Sequence, residues 1–434
     1  MVLGSGSGIG VKKAARNLPI RRRGEEALSA NEQVTVRKIK QTILVCLSKI
    51  DVANKEEDED MLEEWTKKLS IFQEIYCKLV LFNQEAYDAM PSFNRTIDSF
   101  GKGSHKILFR FNPEELRELL DVLEIPTSIL LENGCVMPGE EMLLRGLYEL
   151  VSGDTQYRIA LSVFGGDHSL QSRAFKYFCD FTYTNFKCLV EDNLDWWERN
   201  GLLEESRQAI WEKMKEVDGF EYPEDYVNLV CLFIDCNCLR TSVVGGGPAE
   251  GGANAIRWSS DIQEAFYNGW KSIHGLKHQT ADAAHGLTVD MCGPTALRRN
   301  DLTLLRMSDL NDRLGRLTGL YIFGDSAYKT QSNISTYIKK ESMPVGWDHW
   351  NYAMKTVRIS IEWNYGYTAS LFAYLAKPQK LKVMKSDRVS KIYTVGTLFR
   401  NFHNICYGSQ TSLYFGVNFA PNFLRHYVKQ TDLD

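Results

Sequence analysis

Two short apolar runs in this chain each end in an aspartate. Leu229–Ile234 runs into Asp235, and Leu320–Gly324 runs into Asp325. Runs of this length, bounded by polar residues, predict buried strands. Val357–Trp363 best fits a helix, and it carries Glu362. Between the two runs, alternation at Lys271–Lys277 predicts another strand. Asp282–Gly286 then predicts a hairpin turn, and Leu287–Met291 its returning strand. Leu302, Leu305, Leu310, Leu314 and Leu317 mark a helix before the Asp325 strand. The order is strand, strand, strand, helix, strand, helix.

The first half is patterned for helices. Ile39, Ile43, Leu44 and Leu47 fall at helical spacing, as do Leu62, Trp65, Leu69, Phe72 and Ile75. Asn112–Glu115 starts a helix carrying Leu116, Leu119, Leu120 and Leu123, and Pro138–Glu141 starts one carrying Leu143, Leu144, Leu147 and Leu150. A short helix over Thr155–Val163, a turn at Gly165–Asp167 and a longer helix capped by Ser169 make a helix-turn-helix pattern. Gln171, Arg173 and Lys176 lie on the polar side of that last helix and suit contacts to phosphates and bases. The glycine-rich stretch Gly245–Gly252 reads as a mobile loop. Gly4–Gly10 looks like a dinucleotide fingerprint, but no strand precedes it, so a flexible tail is the better reading.

A chain of 434 residues has room for two or three domains. Its net charge of -4 excludes a broadly basic nucleic-acid binder, so any DNA contact must come from local patches. One patch is Lys12–Arg23; another is Lys377, Lys380, Lys382, Lys385 and Arg388. The 10 cysteines are scattered, which suggests reduced thiols inside a cell. No stretch is apolar enough for a membrane span.

The acids carry the chemistry. A carboxylate ending an apolar strand is costly unless a cation neutralises it. Two strand-end aspartates and a helical glutamate suit a site for two Mg²⁺ (or Mn²⁺) ions that cuts phosphodiesters. Asp235, Asp325 and Glu362 are therefore the candidate metal-binding and catalytic residues, and their oxygens are expected to converge within about 4–8 Å. Cys231, Cys236 and Cys238 alternate across a strand and read as buried thiols rather than a zinc site. His274 and His278 share one strand face, where local structure is the better reading than a metal pair. Asp301 opens a helix as a cap and is a candidate auxiliary acid.

The segments Phe233–Asp235, Tyr267–Lys271, Gly293–Pro294, Arg298–Asp301, Phe323–Tyr328, Val357–Trp363 and Tyr407–Ser412 occur in an order that resembles the endonuclease domain of PIF/Harbinger transposases. The chain departs from that family at Cys236, where glycine is usual, and at Asn300, where histidine is usual. The resemblance implies DNA contacts from Lys271, His274, Lys277, Arg298, Arg299 and Arg358. It also implies terminal inverted repeats and target DNA as substrates, a Myb/SANT-like accessory protein, a homo-oligomer and a nuclear location.

The expected fold is α/β, a ribonuclease-H-like core of mixed sheet and flanking helices behind an all-α helix-turn-helix region. The expected segments are a disordered basic tail (1–34), a helical region (35–105), a DNA-binding helix-turn-helix domain (106–190), a helical linker (191–224) and the nuclease domain (225–434). The leading functional expectation is a DDE-type transposase. The alternatives are a transposase-derived DNA-binding protein that no longer cuts and a related enzyme acting on RNA or branched DNA.

Overall fold

The structure, a computed structural model, describes residues 30–56, 60–72, 94–222, 228–242 and 264–433, apart from positions 62–63, 66, 70, 102, 318, 340, 342, 344–346 and 383–384. The tail up to residue 29, its basic patch and the Gly245–Gly252 loop lie outside the described residues. The chain divides into two units, residues 1–93 with 165–167, and residues 94–164 with 168–434.

In the first unit, α1 (Ala30–Glu56) forms where the apolar spacing predicts a helix. Val36, Ile39, Ile43, Cys46 and Ala53 make its buried stripe.

The second unit begins with helices. α2 (His105–Phe109) leads to α3 (Pro113–Val122), which starts at Pro113 behind Asn112, whose backbone N–H donates to Glu115 Oε2 at 2.8 Å. This reciprocal cap is the one the Asn-Pro-Glu-Glu sequence predicts. A small hairpin, β1 (Ser128–Leu130) and β2 (Val136–Pro138), precedes α4 (Gly139–Ser152). α5 (Gln156–Ile159), α6 (His168–Phe186), α7 (Cys188–Glu191), α8 (Leu194–Arg199) and α9 (Leu202–Asp218) follow.

The sheet is mixed. Its strands are β3 (Val230–Arg240), β4 (Tyr267–Asn268), β5 (Ile273–Ala283), β6 (Thr288–Ala296), β7 (Tyr321–Gly324) and β8 (Ile334–Ser335). β3 runs antiparallel to β5 and parallel to β7, and β8 extends the β7 edge. β4 and β6 share the far edge of β5. β5 and β6 form the expected hairpin. The leucine-rich helix is broken in two, α10 (Asp301–Met307) and α11 (Leu310–Leu314), where Asp309 turns left-handed. The chain ends in α12 (Trp347–Leu371), α13 (Ser386–Tyr407), α14 (Gln410–Phe415) and α15 (Phe423–Lys429). A mixed sheet flanked by helices, in this order, is the α/β architecture expected of a ribonuclease-H-like nuclease core.

Two features differ from expectation. Residues 191–224 are more than a linker. Leu202, Leu203, Ser206, Ile210 and Met214 form a buried stripe on α9, and Ser206 Oγ donates to Cys231 O at 2.6 Å while accepting from Ala284 N at 2.9 Å. α9 is thus a covering layer of the sheet. Nor does the helical block stand on its own core: Phe178 stacks on Phe399 of α13 at 5.3 Å, and Phe175 meets Tyr374 at 5.2 Å. The helices and the sheet share one apolar cluster. No described helix is long and apolar enough to cross a membrane.

Candidate active site

The position of Asp235 follows from strand alternation. A bulge between Val230 and Leu232 resets the phase of β3. Beyond it, Leu232 and Ile234 face one apolar cluster, while Phe233 faces a second with Val357 and Ile361 of α12. Asp235 has the parity of Phe233, so it falls on the α12 side. On β7, Phe323 faces the same second cluster and Ile322 the first, which gives Asp325 the same side. Ile234 pairs in register with Gly324. One step further, Asp325 follows the end of β7, while Asp235 lies midway along β3, which does not stop at the aspartate as expected but runs on to Arg240 because β5 keeps pairing with it; the two acids are about 5 Å apart along the hydrogen-bonding direction. Gly324 permits this closeness, because a Cβ there would lie 2.8 Å from the Tyr328 ring and 2.9 Å from the Ile234 side chain.

Each aspartate is fixed by the backbone that follows it. Asp235 Oδ1 accepts from Cys236 N at 2.7 Å, and Asp325 Oδ1 accepts from Ala327 N at 2.9 Å. Glu362 comes from the middle of α12. Arg358, one turn earlier, links it to the strands. Arg358 Nη1 donates to Asp235 Oδ2 at 3.1 Å, Nη2 to Glu362 Oε1 at 3.3 Å and Nε to the Tyr337 hydroxyl at 3.3 Å. The Asp235 side chain is 20 % exposed and that of Glu362 53 %.

Burial pushes the Asp235 carboxyl up to about 6; Cys236 N–H and Arg358 oppose this, while the charges of Asp325 and Asp301 add to it. A buried acid beside two others is a site in need of positive charge. In this structure that charge is the Arg358 guanidinium. Asp235, Asp325 and Glu362 offer hard oxygen donors on one side of the sheet, the donor type that Mg²⁺ and Mn²⁺ take. Among the described residues, no three of His, Cys, Asp and Glu form a ready-made metal cage. The expected convergence of all three acids on one ion is thus not formed among the described residues: the donor type suits a divalent ion, but Arg358 stands between Asp235 and Glu362.

The auxiliary acid is also engaged. Asp301 Oδ1 accepts from Lys277 Nζ at 2.7 Å, and the same ammonium donates to Arg299 O at 2.6 Å. Asn300 is the cap of α10, accepting from Thr303 N at 2.9 Å.

Several expected DNA contacts are committed elsewhere. Gln171 is fully buried, donating to Glu149 Oε2 and accepting from Arg145, so it does not face a groove. It turned inward because the buried charges of Arg145 and Glu149 need its amide as partner. Lys176 pairs with Glu132 and Asp180, which neutralises the outer side of α6; Arg173 is half-buried on the same helix. Lys277 is 7 % exposed and spent on Asp301. Arg358 is spent on the acids. Arg298 pairs with Glu264, and Arg299 is exposed. His274 packs on Tyr267 at 4.9 Å. Lys271 Nζ lies 3.1 Å from Cys238 Sγ; burial lowers its pKa, but Cys238, Asp235 and Asp301 outweigh that and leave it raised.

The other candidates are local structure. His278 is buried, bonded to Ser390 Oγ at 3.1 Å and pushed down to about 3 by burial, so it is neutral. Cys231 and Cys236 bond to Tyr321 O and the Tyr328 hydroxyl. Sequence reasoning missed Tyr337, which anchors Arg358, and Tyr365, whose hydroxyl meets Thr280 Oγ1 at 2.9 Å near Asp235. Neither lies in a pattern that distinguishes it from a core tyrosine.

No curated protein and no solved structure matches this chain. One family model does match, over residues 254–401, and it is described as DDE superfamily endonuclease. The match contains Asp325 and Glu362 but begins after Asp235, which is joined to them here by strand register and by Arg358. This superfamily generally uses divalent metal ions. The segment carrying Asp325 and Glu362 is that of a DDE-type, transposase-like nuclease.

Proposed function

We propose that this protein is a PIF/Harbinger-type DNA transposase. In this reading Asp235, Asp325 and Glu362 hold two Mg²⁺ or Mn²⁺ ions and cleave phosphodiesters at the ends of a mobile element, whose 3′ ends are then joined to target DNA. The observation that carries it is the register of Asp235 beside Asp325 on the face that α12 covers, with Arg358 tying Asp235 to Glu362. Bound divalent ions supply the charge that activates the attacking hydroxyl and stabilises the leaving oxygen. The chain's part is positional. The sheet holds Asp235 within β3 and Asp325 just past β7, and α12 brings the glutamate in from the side. Terminal inverted repeats, target DNA, a Myb/SANT-like accessory protein, a homo-oligomer and a nuclear location belong to the same proposal.

The test is cleavage of duplex DNA by the full chain with Mg²⁺ or Mn²⁺, compared with Asp235→Asn, Asp325→Asn and Glu362→Gln. The expected result is ion-dependent nicking that each variant abolishes. Nicking that survives Asp235→Asn rejects this active site.

A second reading is favoured by the Arg358 guanidinium, which already neutralises Asp235 and Glu362. It is a transposase-derived protein that binds DNA without cutting. Retained duplex binding with no cleavage in either ion would select it.

A further inference from the structure

The basic stretch after α12 is not used by the acid site. Two of its lysines are structural. Lys377 Nζ donates to Ser152 O at 2.9 Å and Gly153 O at 3.0 Å, and Lys380 Nζ donates to Asp154 O, so both close off the C-terminal end of α4. The other three cations differ. Lys382 and Lys385 are exposed, Arg388 is half-buried, and among the described residues none of them has an acid within ion-pair distance. With Lys380, Thr155 and Gln156 they line a cavity of about 240 Å³.

Glu149 is the acid in that lining. It is fully buried and accepts from the Gln171 and Gln156 amides, and burial pushes its carboxyl up to about 7. It is one acid facing four cations of the lining, with Lys380 and Arg388 acting against its burial. Asp387, in the first turn of α13, is exposed and does not line the cavity. A concave surface lined by four cations and one buried acid carries net positive charge, which suits a polyanion.

The cavity is rigidly joined to the acid site. β3 carries Asp235, and its backbone continues to Ser242, whose N–H donates to Leu381 O at 2.8 Å and which bridges to Lys382. Seven residues of extended chain span about 23 Å.

We propose that Lys382, Lys385 and Arg388 form a non-catalytic clamp for the phosphate backbone of duplex DNA. The polymer's identity rests on the nuclease reading; the clamp itself rests on the cavity and its charge. Phosphate contacts of this kind position a duplex without reading its sequence.

The test uses full-length Asp235→Asn protein, which holds DNA without cutting, and fluorescence anisotropy on a labelled 30-bp duplex over a salt series. Adding Lys382→Gln, Lys385→Gln and Arg388→Gln is expected to weaken binding at least tenfold near 0.1 M salt and to flatten the salt slope by about three. Circular dichroism melts establish that the variant is folded; Lys382→Gln with Lys385→Gln, both at exposed positions, serves as the milder variant. An unchanged affinity and slope in the folded variants overturns the clamp. So does competition by inorganic pyrophosphate that the substitutions abolish while duplex binding persists, since that marks a small-anion site. Cleavage by the wild type with unaltered duplex affinity in the variants leaves the nuclease and removes the clamp. Clamp-dependent binding with no cleavage does the reverse.

Discussion

Arg358 sets the state of the acid site, residue by residue. Its guanidinium meets a mostly buried carboxylate, so removing it leaves Asp235 with two acidic neighbours and no cation bonded to it. Arg358→Met is expected to cost about 2–3 kcal/mol in chelator, with much of that recovered when Mn²⁺ is added. Thermal melts with and without the ion read this directly; an equal deficit in both would mean that arginine and ion do not share the acids. Glu149 gives a second residue-level expectation. Its carboxyl sits at about 7 in the fold against 4.5 for the free group. The folded state thus holds a proton that the unfolded chain has lost, and stability falls as pH rises from about 4.5 to 7. The full effect is at most about 3 kcal/mol. Asp235 and Asp290, both raised to about 6, act in the same direction. Denaturant melts at pH 5 and pH 8 should therefore differ less in Glu149→Gln than in the wild type.

At the scale of elements, the site depends on how closely two neighbouring strands and one helix approach. Gly324 is the tightest point, with Tyr328 and Ile234 already against it. Gly324→Ala is expected to cost about 1–3 kcal/mol and to shift Asp325 from its neighbour, lowering cleavage more than stability alone explains. A variant with lowered melting temperature but full activity would show that the strand end tolerates the shift. This scale also marks where sequence reading succeeded and where it stopped. The strands that carry Asp235 and lead to Asp325, and the Glu362 helix, were legible, because short apolar runs and helical spacing are local signals; the continuation of β3 past Asp235 to Arg240 was not, because it rests on pairing with β5. The hairpin β5–β6 was legible for the same reason. The burial of Gln171 was not: a glutamine on a helix looks the same whether it meets DNA or the buried side chains of Arg145 and Glu149. Nor was the capture of Lys277 by Asp301, which come from elements 24 residues apart.

On the scale of the whole second unit, the helices before the sheet are part of its core. Phe178 on Phe399, Phe111 against Phe399 at 6.3 Å, and α9 on the sheet all remove apolar area that residues 225–434 alone would expose. That segment expressed alone is expected not to fold cooperatively, whereas residues 94–434 should melt in a single transition. A sharp unfolding transition from the isolated 225–434 segment would contradict this. Phe178→Ala, far from the acids, is expected to destabilise the nuclease core by about 3–5 kcal/mol.

The sequence alone determined most of the elements and singled out three acids as candidates, because hydrophobic period and a carboxylate after an apolar run are written in neighbouring residues. It also carried enough ordered motifs to indicate the family of nucleases. Tertiary structure decided what each charge does. Burial and partner choice turned Lys277, Gln171 and Arg358 inward and left Lys382, Lys385 and Arg388 open, because the cost of a buried charge depends on groups that only folding brings together.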